Sequence, residues 1–187
     1  VQAMVEKTLA DVAAKKGAKN VSAIVMNPNN GQIIAMANMP TYDSSKINEV
    51  TDVAVFNNGV ISYPYEVGSV AKPMTVAMGL DKGVITPQTT YVNNGYVKVY
   101  DATINNADKS RKLGTITMQD ALDWSLNTGM VDITARLGGD GSISAKSRSV
   151  MYDYFHNNFT LGPPTGVALA GEAAGPVTSP AAVQGTA

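Results

Sequence analysis

The chain has 187 residues, enough for one domain or part of a larger one, with a formal net charge of −1 and a pI near 5.8. This balance, without a dense basic cluster, argues against nucleic acid as a partner. Cysteine is absent and His156 is the single histidine, so neither a disulfide framework nor a thiolate or histidine metal cluster is expected. No apolar run could span a bilayer and no signal peptide precedes Val1. Because the chain does not begin with methionine and its last residues have loop-like composition, we interpret both ends as cuts into a longer protein.

The first third of the chain predicts a helix followed by a hairpin. Apolar residues at helical spacing predict a helix over 2–16, which Gly17 ends. Residues 21–26 are apolar on both faces and predict a strand that is covered on both sides. The turn residues Asn-Pro-Asn-Asn-Gly at 27–31 then lead into a second strand over 32–38. The apolar residues of the helix are Val5, Leu9, Val12 and Ala13.

A second helix is predicted after a polar stretch of loop or short helix that ends at Asn58. It begins near Ser69, because Pro73 is tolerated only in a first turn, where its missing N–H has no partner anyway. Gly83 ends this helix. Its predicted buried stripe comprises Val70, Met74, Ala77 and Met78.

Residues 86–114 are polar and lack a helical period, so they predict an extended excursion with a short hairpin over 96–103. Thr117 is the expected N-cap of the next helix, with Asp120 completing an approximate capping box. This helix is expected to break near residues 125–127.

Two further helices are predicted, over about 128–137 and 144–158. In the second of them Val150 and Tyr154 are expected to point inward. Glycine and proline at 162–166 end the helical part, and the tail is predicted to be loop.

Ser69 and Lys72 are the first candidates for chemistry. Helical residues three apart share a face, so the Lys72 ammonium can reach the Ser69 hydroxyl. A serine hydroxyl needs an adjacent base to become a good nucleophile, and lysine is such a base only when burial or a cation lowers its pKa. N–H groups at the helix start suit the charge that develops on an attacked carbonyl. The alternative is a surface helix start with a solvated lysine.

Ser125 and Asn127 are the second candidates, at the junction of two predicted helices. A hydroxyl and a carboxamide two positions apart can face one cleft. The serine could relay a proton between Lys72 and a leaving group, and the asparagine could hydrogen-bond both Lys72 and a substrate amide. The alternative is local helix capping, which serine and asparagine favour.

Six short matches, in the same order along the chain, resemble the class B (monofunctional) penicillin-binding transpeptidases. Ser69 to Lys72 and Ser125 to Asn127 resemble the first two signatures of that family, S-x-x-K and S-x-N. YEVGS at 65–69 resembles its YEPGS approach, with valine where proline is usual. Three further matches are GQIIAMANMP at 31–40, NTG at 127–129 and TGVALAGEAAG at 165–175.

The third signature of the family, Lys-Thr-Gly or Lys-Ser-Gly, does not occur in residues 1–187. Near the end, Thr186 follows Gly185, with Gln184 where the lysine would stand. In the family this motif lies on a later strand that lines the cleft opposite the S-x-N motif and supplies an oxyanion donor. We therefore expect the chain to be the front part of a transpeptidase domain, and weak or inactive alone.

The resemblance implies an α/β (α+β) fold, the penicillin-binding and serine β-lactamase-like transpeptidase fold, with a helical subdomain and an antiparallel sheet that is incomplete here. Residues 1–187 would form a single, C-terminally truncated transpeptidase domain. The N-terminal helix and hairpin would occupy 1–60, and the mostly helical subdomain with the motifs 61–175.

The resemblance also implies the reaction, a D,D-transpeptidation that cross-links peptidoglycan through an acyl-enzyme. Ser69 would attack the penultimate D-alanine of a stem peptide ending D-Ala-D-Ala, and β-lactams would acylate the same serine. Lys72 would be the base, Ser125 a proton relay and Asn127 an orienter of substrate and lysine. No metal or organic cofactor is implied.

Other functions of the same fold remain open. One is a serine β-lactamase or D,D-carboxypeptidase, which uses water as the acceptor. Another is a non-catalytic β-lactam sensor or division scaffold. For the transpeptidase, the implied partners are the division or elongation machinery, and the implied location is the extracytoplasmic face of the bacterial cytoplasmic membrane, with the anchor outside this chain.

Overall fold

The computed structural model describes residues 1–183, so the interpretation of Gln184 to Thr186 lies outside the described residues. Contacts divide the chain into two compact units. The first comprises Val1–Tyr65 and Pro164–Gly175, and the second comprises Glu66–Pro163 and the described residues from Pro176 onward. The division into 1–60 and 61–175 within a single domain stays a prediction. No helix in the described part is both long and apolar enough to cross a membrane.

The first unit begins with the predicted helix and hairpin. Helix α1 (Gln2–Lys16) ends at Gly17, whose φ of 63° is left-handed and favours glycine. Strands β1 (Val21–Met26) and β2 (Ile33–Met39) pair antiparallel, and a turn joins them in which the Gly31 N–H donates to the Asn27 carbonyl. These elements confirm the prediction for this region.

The two faces of the hairpin differ in burial. On β2, Ala35 and Ala37 are buried, and their small side chains let α1 pack closely on the sheet. On the opposite face of β1, Ile24 and Met26 are 46% and 50% exposed. The expectation that β1 is covered on both sides is therefore wrong for the described residues. In α1, the half-buried stripe follows i, i+4 spacing and leaves out Val12, contrary to the prediction.

The hairpin edge is protected by a side chain. The Gln2 amide donates to the Met36 carbonyl at 2.9 Å and accepts from the Met36 N–H at 3.0 Å, so it imitates one residue of a neighbouring strand. Two 3₁₀ turns, Ser44–Glu49 and Val53–Phe56, and helix α2 (Gly59–Ser62) follow β2. This confirms the predicted stretch of loop and short helix.

The second unit contains helices and two pairs of short antiparallel strands. The helices are α3 (Lys72–Asp81), α4 (Met118–Asp123), α5 (Asn127–Gly138), α6 (Ala145–Asp153), which a π-helical turn (Tyr154–Asn158) extends, and α7 (Pro180–Val183). Strand β3 (Thr90–Asn93) pairs with β6 (Gly114–Thr117), and β4 (Tyr96–Val99) pairs with β5 (Ala102–Asn105).

The helices confirm the predicted pattern, including the capping box of Thr117 and Asp120 and the break before α5. The β4–β5 hairpin was also predicted. The sequence did not predict the pairing of β3 with β6 or the short helix α7, because elements of four residues are too short to show a periodic pattern. In β3 the buried positions are Tyr91 and Asn93, so a polar residue occupies one of the inward places.

The predicted buried stripe of α3 is only partly right. Met78 is fully buried and Met74 is half-buried, whereas Val70 is 69% exposed and Ala77 is exposed. Val70 lies in a 3₁₀ turn before α3, where the spacing of side chains differs from that of an α-helix. The core of the second unit consists of Met78, Ile85, Tyr91, Ile116, Met118, Ala121, Leu126, Ile133, Leu137 and Tyr154.

Candidate active site

Lys72 is a buried amine at the start of α3. Its side chain is packed within the second unit, with 9% of the residue exposed. The Nζ atom donates to the carbonyl oxygen of Ser125 at 2.5 Å and to its Oγ at 3.0 Å. Burial disfavours the charged ammonium and lowers the pKa of Lys72 below its ordinary value. The lysine therefore has the property that a general base requires, and the solvated-lysine alternative does not describe it.

Ser69 lies in the 3₁₀ turn Gly68–Ala71 that leads into α3, and it is exposed. Gly68 adopts a φ of 62°, which turns the chain into this helical start. The Lys72 N–H donates to the Ser69 carbonyl, so both residues lie on one tight turn. The Ser69 hydroxyl has no hydrogen-bond partner in the described part of the chain, and the expected bond to Lys72 is not formed there.

Ser125 occupies a position that normally favours glycine. Its N–H donates to the Leu122 carbonyl and the next N–H, of Leu126, donates to the Ala121 carbonyl, which together form a Schellman motif at the end of α4. The φ of Ser125 is 52°, a left-handed conformation that is costly for a residue with a Cβ. This backbone directs both the carbonyl and the hydroxyl of Ser125 to Lys72.

Asn127 is the first residue of α5, two positions after Ser125. Its Nδ2 donates to the carbonyl of Asn105, at the end of β5, at 2.7 Å. The predicted hydrogen bond between Asn127 and Lys72 is not formed among the described residues. Of the four predicted site residues, the structure thus joins Lys72 directly to Ser125 and places Ser69 and Asn127 on the adjoining turns.

The sequence interpretation missed a buried polar cluster behind this site, made up of Asn93, Asn106 and Thr128. These residues are 0%, 3% and 4% exposed and hydrogen-bond one another. Both asparagines lie within residues 86–114, a stretch whose polar composition predicts an extended excursion and does not indicate that they are buried. The feature of the sequence that could have drawn attention to these two residues is that each belongs to an Asn-Asn pair.

Metal binding has no candidate among residues 1–183, which contain no group of three or more His, Cys, Asp or Glu side chains placed to hold an ion. His156 instead stacks on Tyr152, with ring centroids 5.2 Å apart.

The fold is that of a penicillin-binding transpeptidase domain. The chain superposes on the apo structure of the TP domain from Burkholderia pseudomallei penicillin-binding protein 3 with a TM-score of 0.74 and 24% identity. The match covers 96% of this chain and 46% of that one. The predicted mixed α/β fold is therefore confirmed.

The family follows from the sequence match. Residues 21–187 match the penicillin binding protein transpeptidase domain, and the chain belongs to that family. It is 32% identical over 139 residues to the probable peptidoglycan D,D-transpeptidase FtsI of Caulobacter vibrioides, covering 74% of this chain and 23% of that protein. It is 28% identical over 175 residues to penicillin-binding protein PbpB of Mycobacterium tuberculosis, covering 94% and 24%. The chain thus spans about a quarter of the length of these relatives, and the predicted resemblance is confirmed.

Proposed function

We propose that the protein containing this chain is a serine-type peptidoglycan D,D-transpeptidase, with Ser69 as nucleophile and Lys72 as base. The observation that carries the proposal is the contact of the buried Lys72 amine with the carbonyl and hydroxyl of Ser125. A lysine held in this way has a lowered pKa and a hydroxyl beside it through which a proton can pass. Family membership and relatives named as peptidoglycan D,D-transpeptidases support the same reaction.

The reaction divides into acylation and transfer. In acylation, neutral Lys72 takes the Ser69 proton as the Ser69 Oγ bonds to the carbonyl carbon of the penultimate D-alanine. The peptide C–N bond then breaks, and the leaving D-alanine receives a proton through Ser125. The Ser69 N–H, at the start of the helical turn, is the proposed oxyanion donor from this chain. In transfer, an amine of a second stem peptide attacks the ester carbonyl carbon and loses a proton to neutral Lys72. The bond between that carbon and Ser69 Oγ then breaks, and the Ser69 oxygen takes the proton back from Lys72.

The arrangement of these side chains without substrate is compatible with the proposed order of steps. Catalytic hydrogen bonds in unliganded enzymes are often long and shorten only with substrate bound. Ser69 is exposed and its hydroxyl has no competing partner in the described residues, so it can turn to Lys72 without breaking a bond. Asn127 keeps its carboxamide oxygen available for a substrate N–H while its Nδ2 is held by the Asn105 carbonyl.

The proposed ligands are stem peptides ending D-Ala-D-Ala and β-lactams that acylate the same serine. The proposed partners are division or elongation machinery, and the proposed location is the extracytoplasmic face of the bacterial cytoplasmic membrane. The peptidoglycan ligand is supported by relatives that include the peptidoglycan D,D-transpeptidase FtsI of Escherichia coli, which is 27% identical over 175 residues. The β-lactams, the partners and the location are proposed from the resemblance to the penicillin-binding family.

A fluorescent penicillin tests the nucleophile in the protein at its natural length. We expect one label per molecule, on the peptide that contains Ser69, and no label in Ser69→Ala. Ser149→Ala is the matched control, because Ser149 is an exposed serine of the same unit. Labelling that persists in Ser69→Ala, or a wild-type protein that does not label, would contradict the proposal. A label released rapidly to water would instead indicate a β-lactamase.

The 187-residue chain alone provides a second measurement. Removing one oxyanion-hole donor typically costs on the order of a hundredfold or more in rate. Because no Lys-Thr-Gly or Lys-Ser-Gly occurs in these residues, we expect the chain alone to label much more slowly than the protein at its natural length. Stoichiometric labelling at an equal rate would show that the third signature is dispensable.

A further inference from the structure

Helix α5 begins at Asn127, and its N-cap residue provides no side-chain hydrogen bond to the N-terminus of the helix. The N-cap position is Leu126, whose side chain is 2% exposed in the core and cannot accept a hydrogen bond. The first N–H groups of a helix have no partner within the helix and need an acceptor from elsewhere. Asn106 provides it, because its Oδ1 accepts from the Thr128 N–H at 3.1 Å. A residue just after β5 therefore caps the helix that carries Asn127.

The Asn106 cap is itself held by a second buried asparagine. The Oδ1 of Asn93 accepts from Asn106 Nδ2 at 3.0 Å and from the Thr128 hydroxyl at 3.0 Å. Because the single hydroxyl proton of Thr128 is used in this bond, the Tyr91 hydroxyl must donate to Thr128 Oγ1, 3.1 Å away. The direction of each hydrogen bond in the cluster is thus fixed. Buried, fully satisfied networks of this kind specify one arrangement.

The same cluster reaches the other side of Ser125. Asn93 Nδ2 donates to the carbonyls of Arg111 and Lys112 at 2.9 and 2.8 Å. The Arg111 guanidinium lies 4.4 Å from the ring centroid of Trp124, the residue that precedes Ser125. Asn93 is therefore linked to both flanks of the Ser125–Asn127 turn, through Thr128 on one side and through the Arg111–Trp124 contact on the other.

We propose that Asn93 and Asn106 are positioning residues that hold the Ser125–Asn127 turn against Lys72. The inference rests on the proposed function, since it assigns the turn a role in acylation. Neither asparagine contacts Lys72, Ser125 or Ser69 in the described hydrogen bonds, so both act through Thr128 and the backbone. Loss of the cluster lets the Ser125 carbonyl and hydroxyl move away from the Lys72 amine. A displacement of about 1 Å near a reacting group can cost a hundredfold in rate.

Thr128→Val is the primary test in the protein at its natural length, because it removes one hydroxyl and keeps the shape. Thr128→Ser restores the hydroxyl and serves as the rescue variant. Thr134→Val is the matched control, since Thr134 lies on the same helix and its hydroxyl donates to the Met130 carbonyl, away from the cluster. Asn106→Ala removes the cap directly. If that variant does not fold, the Thr128 series decides the result.

Two readouts separate positioning from general stability. The first is β-lactam acylation, resolved into the binding constant and the acylation rate. For Thr128→Val we expect the rate to fall about tenfold to a hundredfold with binding little changed, and the midpoint of its pH profile to move to higher pH as water reaches Lys72. The second is amide hydrogen exchange of the peptide spanning 124–129, which we expect to accelerate. Thr128→Ser and Thr134→Val should remain near the wild-type values.

The outcomes are distinguishable. Faster exchange at 124–129 together with slower acylation in Thr128→Val, but not in Thr134→Val, supports the proposal. Unchanged exchange and acylation in Thr128→Val, or an equal loss in Thr134→Val, overturns it. If the wild-type protein does not label but exchange still accelerates in Thr128→Val, the positioning role stands and the proposed transpeptidase function fails.

Discussion

The Lys72 side chain combines burial with two hydrogen bonds from its amine to Ser125. We predict that Lys72→Arg reduces acylation by about 10² to 10⁴-fold, because a guanidinium keeps its proton and cannot act as a base. Lys82→Arg is the control, a lysine at the far end of α3 whose ammonium lies over the Tyr154 ring. Acylation kinetics with a fluorescent penicillin measure both variants. Near wild-type acylation in Lys72→Arg would rule out the lysine as the base.

The pH dependence of acylation follows from the same lysine. Burial lowers the pKa of Lys72 from the ordinary value of 10.5, so the neutral amine forms at a lower pH than in a free lysine. We predict that the acylation rate rises with pH and reaches half of its maximum below 10.5. A pH–rate profile of β-lactam acylation measures this midpoint. A midpoint at or above the ordinary lysine value would contradict the proposed base.

The free energy of unfolding should also depend on pH through Lys72. The unfolded chain binds the Lys72 proton more tightly than the folded one, because the folded pKa is lowered. The contribution of this group to stability therefore increases as pH rises from the folded pKa to the unfolded one.

The left-handed backbone of Ser125 predicts a difference between two substitutions that both remove the hydroxyl. Ser125→Gly relieves the cost of a Cβ at positive φ, whereas Ser125→Ala retains it. We predict that the glycine variant is more stable than the alanine variant by about 1 kcal/mol. Both keep the carbonyl that binds Lys72, and both should lose acylation to the same extent. Urea unfolding and acylation kinetics provide the two measurements, and unequal acylation would show that the backbone strain itself affects catalysis.

At the scale of elements, the contact between α4 and α5 depends on Gly129. A Cβ at this position would lie 2.5 Å from the Ala121 Cβ and 3.2 Å from the Tyr91 hydroxyl. We predict that Gly129→Ala destabilises the protein by about 1–3 kcal/mol, because the helices must separate to make room. It should also slow acylation, since α5 starts with Asn127. Denaturant unfolding measures the first effect.

Gly175→Ala is the control for Gly129→Ala. No atom lies within 4 Å of a Cβ built at Gly175, and its φ is not in the left-handed range. This variant should unfold close to the wild-type midpoint. An equal loss of stability in both variants would argue against the close helix contact.

Local signals predicted most of these elements. Thr117 with Asp120 marked the start of α4, Pro73 marked the first turn of α3, and turn residues marked the β1–β2 hairpin. Each is a short-range effect in which side chain and backbone lie within a few residues. The pairing of β3 with β6 and the burial of Asn93 depend on contacts far apart in the chain, which no local pattern encodes.

The candidate site shows the same division between local and distant information. Spacing alone predicted that Ser69 and Lys72 share one turn, and the resemblance to the family predicted that Ser125 lies near them. The observed partners differ in detail, because Lys72 binds Ser125 instead of Ser69 and Asn127 binds the Asn105 carbonyl. Side-chain hydrogen bonds between distant segments are decided by packing, and sequence spacing does not specify them.

At the scale of the whole molecule, all four candidate residues belong to the second unit. Lys72, Ser125 and the cluster that supports them are stabilised by the core and hydrogen bonds of that unit. In the first unit, by contrast, large apolar side chains are exposed. Ile24 and Met26 lie on one face of the β1–β2 hairpin, the open face, and are about half-exposed.

The open face of the β1–β2 hairpin predicts self-association of the 187-residue chain. Ile24 and Met26 are about half-exposed on adjacent outward positions, and exposed apolar strands are sites of pairing with other copies. Ile24→Lys should shift the chain toward monomer by adding a charge to this face. Val53→Lys adds the same charge at a side chain that is 72% exposed in a 3₁₀ turn, and should leave association unchanged. Sedimentation velocity over a range of concentrations measures both variants. A monomer at every concentration, or an equal effect of the two lysines, would show that this face does not mediate association.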